Sequence, residues 1–250
     1  LLRYCEEDRR GAVFAVLDPP AGQSAADMLR YQTQAAGLDG LTEHGAIYWP
    51  RLVLANPDPR VFGPDAGVLA PPSGAIAGII ARTDGSRPGG VYEPPAGIEV
   101  GRLRGVIGLE TEEALDEAKR DLLYPHRVNP LNRADGGGWY VDGVYTLAGT
   151  GNFPTVAERR GVSFIERSLR SGLQFARHRN HDDALAAQVL RTIKAFLLDQ
   201  MSAGAFASRE PDKAFFVAVS RDEAERARGE LHVSVGLATQ RPAAFIVIHI

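Results

Sequence analysis

An α/β layer followed by an α+β unit is the fold class this sequence predicts. Two observations carry it. Over roughly the first 110 residues, short apolar runs alternate with amphipathic stretches, the order of a sheet with at least some parallel pairing. Beyond that point two long helical periods come first, and three strand-like runs follow them. The boundary is placed near residue 110, giving segments 1–110 and 111–250.

The first apolar run, Ala12 to Leu17, reads as a buried strand stopped by Asp18-Pro19-Pro20. Ser24 and Asp27 have capping-box spacing and start a helix that Gly37 ends. Ala46 to Leu54 reads as one strand, which Pro50 assigns to a sheet edge or a bulge. Residues 56–72 are rich in Pro and Gly and read as a loop. Ser73 is the predicted N-cap of a helix running to about Arg82, and Val106 to Leu109 is the third strand.

Thr111 caps the next predicted helix, with Glu112 and Glu113 in its positive first turn. Its apolar face is Leu115, Ala118 and Leu122, and Pro125 ends it. Trp139 to Leu147 reads as extended, entered through Gly136-Gly137-Gly138. A helix over about 158–177 buries Val162, Ile165, Leu169, Leu173 and Ala176. A second, over about 183–201, buries Ala186, Val189, Ile193 and Phe196. Ala214 to Val219, Leu231 to Leu237 and Phe245 to Ile250 are the closing strands.

Composition narrows the function classes. With 44% hydrophobic and 24% charged residues, the 250-residue chain has the balance of a globular protein. Its net charge of -3 speaks against general nucleic-acid or membrane-surface binding, which needs a basic excess. Cys5 is the single cysteine, so an internal disulfide is excluded. The apolar runs fall short of the roughly 20 residues of a membrane span. Leu1 to Cys5 holds no initiator methionine and does not resemble a signal peptide, so the sequence reads as starting inside a longer protein.

Candidate chemistry is sparse. Ser73 lies among small residues before a helix, and His44 with Asp18 or Asp84 could be imagined as triad partners, but G-x-S-x-G is missing. Helix capping is the preferred reading of Ser73. His178-Arg179-Asn180-His181-Asp182-Asp183 gathers potential metal ligands without a second cluster, and reads as a helix connection capped by Asp182 or Asp183. The glycine triplet lacks the lysine and Ser/Thr of a phosphate-binding loop. The expectation is therefore a protein with no catalytic, cofactor-binding or metal-binding residue, and not an enzyme.

Two surfaces stand out instead. At 100° per residue Arg159, Arg160, Arg167, Arg170 and Arg177 fall on one arc beside the apolar face of their helix. They form either a docking stripe for an acidic partner or a solvated face with local pairs such as Glu166. The terminal run Phe245-Ile246-Val247-Ile248-His249-Ile250 is apolar on both faces of any strand it forms, so it must be covered on both. It is either tucked into its own sheet or added to a neighbour's sheet by strand augmentation.

Several segments, in order, resemble the tail sheath proteins of contractile phages and related injection systems. The strongest runs from Pro71-Pro72-Ser73-Gly74-Ala75 to Ala81-Arg82-Thr83-Asp84, followed by Arg87, Val91 and Pro94-Pro95-Ala96. Arg10-Gly11, Leu17-Asp18-Pro19-Pro20 and Tyr48-Trp49-Pro50 precede it. Leu122-Leu123-Tyr124-Pro125, Val128-Asn129-Pro130, Phe164 to Leu169 and Arg241 to Phe245 come after. Pro88-Gly89 looks like an insertion, Glu93 stands where lysine is common, and Asp142-Gly143-Val144-Tyr145-Thr146 replaces a pattern with tryptophan and arginine.

The resemblance implies part of a subtilisin-like sheath domain followed by the C-terminal sheath domain. It implies subunits stacked as six-fold rings around an inner tube, which contract and drive the tube through a target envelope. The partners it implies are other sheath subunits, the tube protein, and baseplate and terminator proteins, in a virion tail or a particle assembled in bacterial cytoplasm. On this reading Phe245, Ile246, Val247, Ile248, His249 and Ile250 form an inter-subunit donor strand, and the arginine stripe faces an acidic tube. A serine hydrolase on a subtilisin-like scaffold and a monomeric adaptor for an acidic partner are the alternatives.

Overall fold

The computed structural model describes all residues except 39–41, 65–66, 87, 112–116, 149–150, 221 and 242–250. The first apolar run forms a short strand, β1 (Ala15–Leu17), after one π-helical turn over Tyr4–Asp8. Ser24 and Asp27 then nucleate α1 (Ala25–Arg30) through a reciprocal capping box. The Ser24 hydroxyl accepts the Asp27 N–H, and the Asp27 carboxylate accepts the Ser24 N–H. Ser24→Ala leaves that helix-start donor unpaired and should lower stability by about 1 kcal/mol in urea unfolding. A π-helical turn, Tyr31–Ala35, extends α1, and Gly37 at φ +57° lies just beyond it.

The predicted single strand over 46–54 is two strands. β2 (Gly45–Trp49) stops at the cis Trp49–Pro50 bond, and β3 (Leu52–Ala55) joins a different sheet. Proline has no N–H for the ladder, so the chain leaves the sheet there. The expectation of an edge position is also corrected, because β2 lies inside its sheet, parallel to β1 on one side. All five β2 residues are buried. Ala46 and Tyr48 enter one hydrophobic cluster with Ile76, Leu131 and Val156, while Ile47 and Trp49 enter another with Met28, Leu123 and Val128. Alternate side chains of one strand thus anchor two cores.

The predicted loop over 56–72 contains α2 (Pro59–Phe62) and β4 (Gly67–Ala70). Next come α3 (Ser73–Ser86), four residues longer than expected, and β5 (Val106–Leu109). β4, β3 and β5 form an antiparallel sheet in that order, so the third predicted strand is not part of the parallel layer.

The predicted first turn at Glu112 and Glu113, with Leu115, lies outside the described residues. α4 (Glu117–Leu123) buries Leu123, whereas Leu122 and Ala118 are exposed, which shifts the predicted apolar face by one residue. After Pro125 the chain enters β6 (Val128–Arg133), parallel to β2, and returns in β7 (Trp139–Val141). β7 is the only part of the predicted extended segment 139–147 that forms a named strand. The sheet order is β1-β2-β6-β7.

Asn129 explains how so polar a strand as β6 comes to lie inside. It is fully buried, and its Nδ2 donates to the carbonyls of Ile47 (3.1 Å) and Tyr145 (2.7 Å). Its Oδ1 accepts the Tyr145 N–H at 2.8 Å. The segment 142–146 approaches closely because Gly143 carries no side chain: a Cβ there would sit 2.6 Å from Asn129 Cα.

α5 (Val156–Gly172) begins two residues before the predicted start, because Thr155 accepts the Glu158 N–H and donates to the Glu158 carboxylate. α6 (Asp183–Ser202) buries Leu185, Ala186, Val189, Ile193 and Leu197. α7 (Pro211–Ala214), β8 (Phe215–Val219), α8 (Glu223–Ala227) and β9 (Val233–Leu237) follow, with β8 and β9 antiparallel. The chain divides into two compact units between Arg160 and Gly161 rather than near residue 110. The reason is that β6 and β7, from beyond residue 110, belong to the sheet of the first unit.

Candidate functional site

The serine chemistry considered above dissolves into a helix start. The Ser73 N–H and hydroxyl both donate to the Asp18 carboxylate, at 2.8 and 2.7 Å. Asp18, 55 residues upstream, therefore caps α3, and Ser73 is its first helical residue rather than its N-cap. A hydroxyl bonded directly to a carboxylate is not the serine–imidazole–carboxylate relay of a hydrolase. The other imagined partners are engaged elsewhere. Asp84 pairs with Arg160, and the His44 ring lies so close to Gly11 that a Cβ there would be 2.5 Å from Cε1. Cys5 is buried, and burial pushes its thiol up, away from the reactive thiolate.

The His178–Asp183 run is a helix connection. Asp182 accepts the Leu185 N–H at 2.7 Å as N-cap of α6, and Asp183 pairs with Arg226 at 2.7 Å. Among the described residues no His, Cys, Asp and Glu side chains assemble into a group of three that could hold a metal. The glycine triplet is the β6–β7 turn, with Gly137 and Gly138 at φ +86° and +88° and the Ala134 N–H donating to the Gly138 carbonyl. No helix among the described residues is long and apolar enough to cross a membrane.

The arginine stripe is shorter than predicted, because α5 ends at Gly172 and Arg177 lies beyond it after a 3-10 turn over Gln174–Ala176, and its remaining four arginines divide in two. Arg159 is 4% exposed, donates to Glu43 Oε1 at 2.6 Å, and lies over the Phe153 ring. Arg160 pairs with Asp84 by both guanidinium nitrogens. Both are internal ties of the first compact unit, which corrects their assignment to a docking surface. Arg167, Arg170 and Arg177 are exposed and carry no ion pair among the described residues. Sequence periodicity finds the arc, but long-range partners such as Glu43 are invisible to it.

The expected inter-subunit strand, Phe245, Ile246, Val247, Ile248, His249 and Ile250, lies outside the described residues. What the second unit does display is a sheet edge. β8 and β9 form a two-stranded sheet in which, among the described residues, each strand pairs only with the other. Phe216, on β8, is 61% exposed. A two-stranded sheet is marginal by itself in water, and among the described residues neither outer edge of the pair is hydrogen-bonded to a further strand.

No protein-family model and no curated protein matches the sequence. Solved structures do. A chain in the baseplate of the anti-feeding prophage matches 99% of this chain with TM-score 0.80 and 23% identity, this chain covering 62% of that one. A chain of the contracted sheath complex of an extracellular contractile injection system, PVC, matches 95% with TM-score 0.78 and 26% identity, covered to 63%. A chain of the contracted helical sheath of the anti-feeding prophage matches 94% with TM-score 0.73 and 24% identity, covered to 69%. This chain thus spans a little over three fifths of the first two. Its mixed α/β fold is the one found in contractile sheath structures.

Proposed function

We propose that this chain is a subunit of a contractile sheath, a structural protein that polymerises around an inner tube and contracts to drive it through a target envelope. The observation that carries the reading is the fold shared along 95% of the chain with a contracted sheath complex, at 26% identity. Its place is an assembled contractile particle, with other sheath subunits and the tube protein as partners. The parallel β1-β2-β6 core supports taking the first unit as the subtilisin-like sheath domain.

Two surfaces serve assembly in this proposal. The segment Phe245-Ile246-Val247-Ile248-His249-Ile250, apolar on both faces, is donated as a strand to a neighbouring subunit, and the exposed edges of the β8–β9 pair are the acceptor. Six added residues contribute several kcal/mol, taking about 0.5–1.5 kcal/mol net per hydrogen bond plus apolar burial. Arg167, Arg170 and Arg177 face an acidic tube surface.

Electron microscopy of the full-length protein tests the reading. Rings or tubes are expected. Deleting Ala244 to Ile250 should abolish them while circular dichroism and the unfolding midpoint stay unchanged. A protein that remains monomeric at every concentration would sink the sheath assignment, and tubes formed by the deletion variant would sink the donor strand.

A further inference from the structure

We infer that Asp135-Gly136, in the turn between β6 and β7, is a modification site at which the chain isomerises to isoaspartate without an enzyme and so loosens the turn. The inference does not depend on the sheath reading. An aspartate followed by glycine is open to this reaction because glycine leaves the attacking amide unshielded and its backbone free to turn. The sequence holds four such pairs, Asp39-Gly40, Asp84-Gly85, Asp135-Gly136 and Asp142-Gly143. The first lies outside the described residues, and the other three sit in different surroundings.

Asp84 is tied down. Both of its carboxylate oxygens accept from Arg160, and Gly85 lies inside α3, where the helical ladder occupies backbone N–H groups. Asp142 accepts from Arg120 at 3.5 Å and from Asn132 at 3.2 Å, and its side chain is 15% exposed. Gly143 is packed so closely that a Cβ would lie 2.6 Å from Asn129 Cα, which leaves the backbone no room to swing. Asp135 is held by neither device. It is exposed, and its carboxylate has no hydrogen bond or ion pair among the described residues. The Gly136 N–H donates to no group among the described residues, and a Cβ on Gly136 would meet nothing within 4 Å. Gly137 and Gly138 follow at φ +86° and +88°, so the backbone beyond the pair can rearrange at little steric cost.

The chemistry needs only water. The Gly136 nitrogen bonds to Asp135 Cγ, and the amide proton leaves with the carboxyl OH as water, which closes a succinimide. Water then adds back to the ring. Opening at the former side-chain carbonyl restores aspartate. Opening at the main-chain carbonyl routes the chain through Cβ and Cγ and leaves the α-carboxylate as a branch. One water leaves and one returns, so nothing is oxidised or reduced and the mass is unchanged. The product carries an extra backbone carbon inside the turn. That turn is closed by the Gly137 N–H on the Ala134 carbonyl at 2.8 Å and by the Ala134 N–H on the Gly138 carbonyl at 3.0 Å. Both bonds adjoin Arg133↔Trp139, the last pair of the β6–β7 ladder, so the added atom loosens that end of the hairpin.

Incubating the folded chain at neutral pH and body temperature, then mapping its peptides by electron-transfer fragmentation, reads isoaspartate at each pair. Asp135 should convert at least about tenfold faster than Asp84 and Asp142. Synthetic peptides spanning the three pairs, incubated in parallel, should convert at similar rates, because the selection lies in the fold. Gly136→Ala should slow conversion at Asp135 while leaving the unfolding midpoint unchanged, since its Cβ has open space and Gly136 is not at positive φ. Hydrogen exchange at the Ala134 and Gly137 amides should be faster in converted molecules. Equal conversion at the three pairs of the folded chain, or none at Asp135 while its peptide converts, overturns the site. Peptides that already differ as the folded chain does overturn the argument from the fold. An unaltered rate in Gly136→Ala overturns attack by the unshielded amide, and unchanged exchange overturns the loosening of the turn.

Discussion

Asn129→Ala should destabilise the first unit by about 3–5 kcal/mol, because it leaves the Tyr145 N–H and C=O and the Ile47 C=O without the Asn129 partner in a fully buried place. Each orphaned buried group costs about 1–3 kcal/mol, and the Ile47 carbonyl, on a strand paired at both sides, sits at the lower end of that range. Thermal unfolding should show a fall in Tm on the order of 10 °C for a unit of this size. Asn129→Asp gives a sharper check. It keeps the shape but points a carboxylate at two carbonyl oxygens that need a donor. Burial and those oxygens would raise the folded-state pKa of the new acid above its unfolded value. The folded state then binds the proton more tightly, so stability rises as pH falls through that raised pKa. The deficit of Asn129→Asp against the unaltered chain should therefore shrink on acidification, whereas that of Asn129→Ala should not. A pH-independent deficit in the aspartate variant would show that the three hydrogen bonds are not what Asn129 contributes.

The same residue shows where sequence reading stops. The strands with a plain apolar pattern, β1, β5, β8 and β9, are legible within a few residues, as is the Ser24–Asp27 capping box, whereas β2 and β3 merge into one apolar run. β6 is not, because Val128-Asn129-Pro130-Leu131-Asn132-Arg133 has the composition of a loop. Its place beside β2 follows from tertiary hydrogen bonds of Asn129, which no local window contains. The clue present in the sequence is a polar residue between apolar Val128 and Leu131, within a segment that resembles the sheath proteins. A division of the chain near residue 110 fails for a related reason. A boundary drawn from the succession of elements ignores that β6 returns to pair with β2, 81 residues earlier by the Ile47↔Val128 register. For the surfaces, periodicity places Arg159, Arg160, Arg167 and Arg170 on one helix but wrongly adds Arg177, beyond the end of α5, and it does not tell which of them are already bound.

That last distinction yields the other large effect. Arg159→Glu should cost about 2–4 kcal/mol, since it places a second carboxylate beside Glu43 in a nearly closed site and removes the cation from the Phe153 ring. Reversal of Arg167, Arg170 and Arg177 together should leave stability within about 0.5 kcal/mol per site, as expected for exposed residues without an ion pair among the described ones. The functional readout should run the other way. The triple variant should form sheath while losing co-sedimentation with the tube, and raising the salt concentration should weaken attachment of the unaltered protein in the same way, because exposed charge pairs are screened. Pairing Arg159→Glu with Glu43→Arg restores opposite charges across the contact and should recover much of the lost stability. If the triple variant still binds the tube at full strength, the outer arginines are a solvated face and tube docking lies elsewhere. If Arg159→Glu proves neutral, the contact with Glu43 contributes little and the separation into inner and outer arginines loses its energetic basis. Measuring both variants on the same preparation, by urea unfolding and by co-sedimentation, distinguishes an arginine that holds the subunit together from one that holds it to a partner.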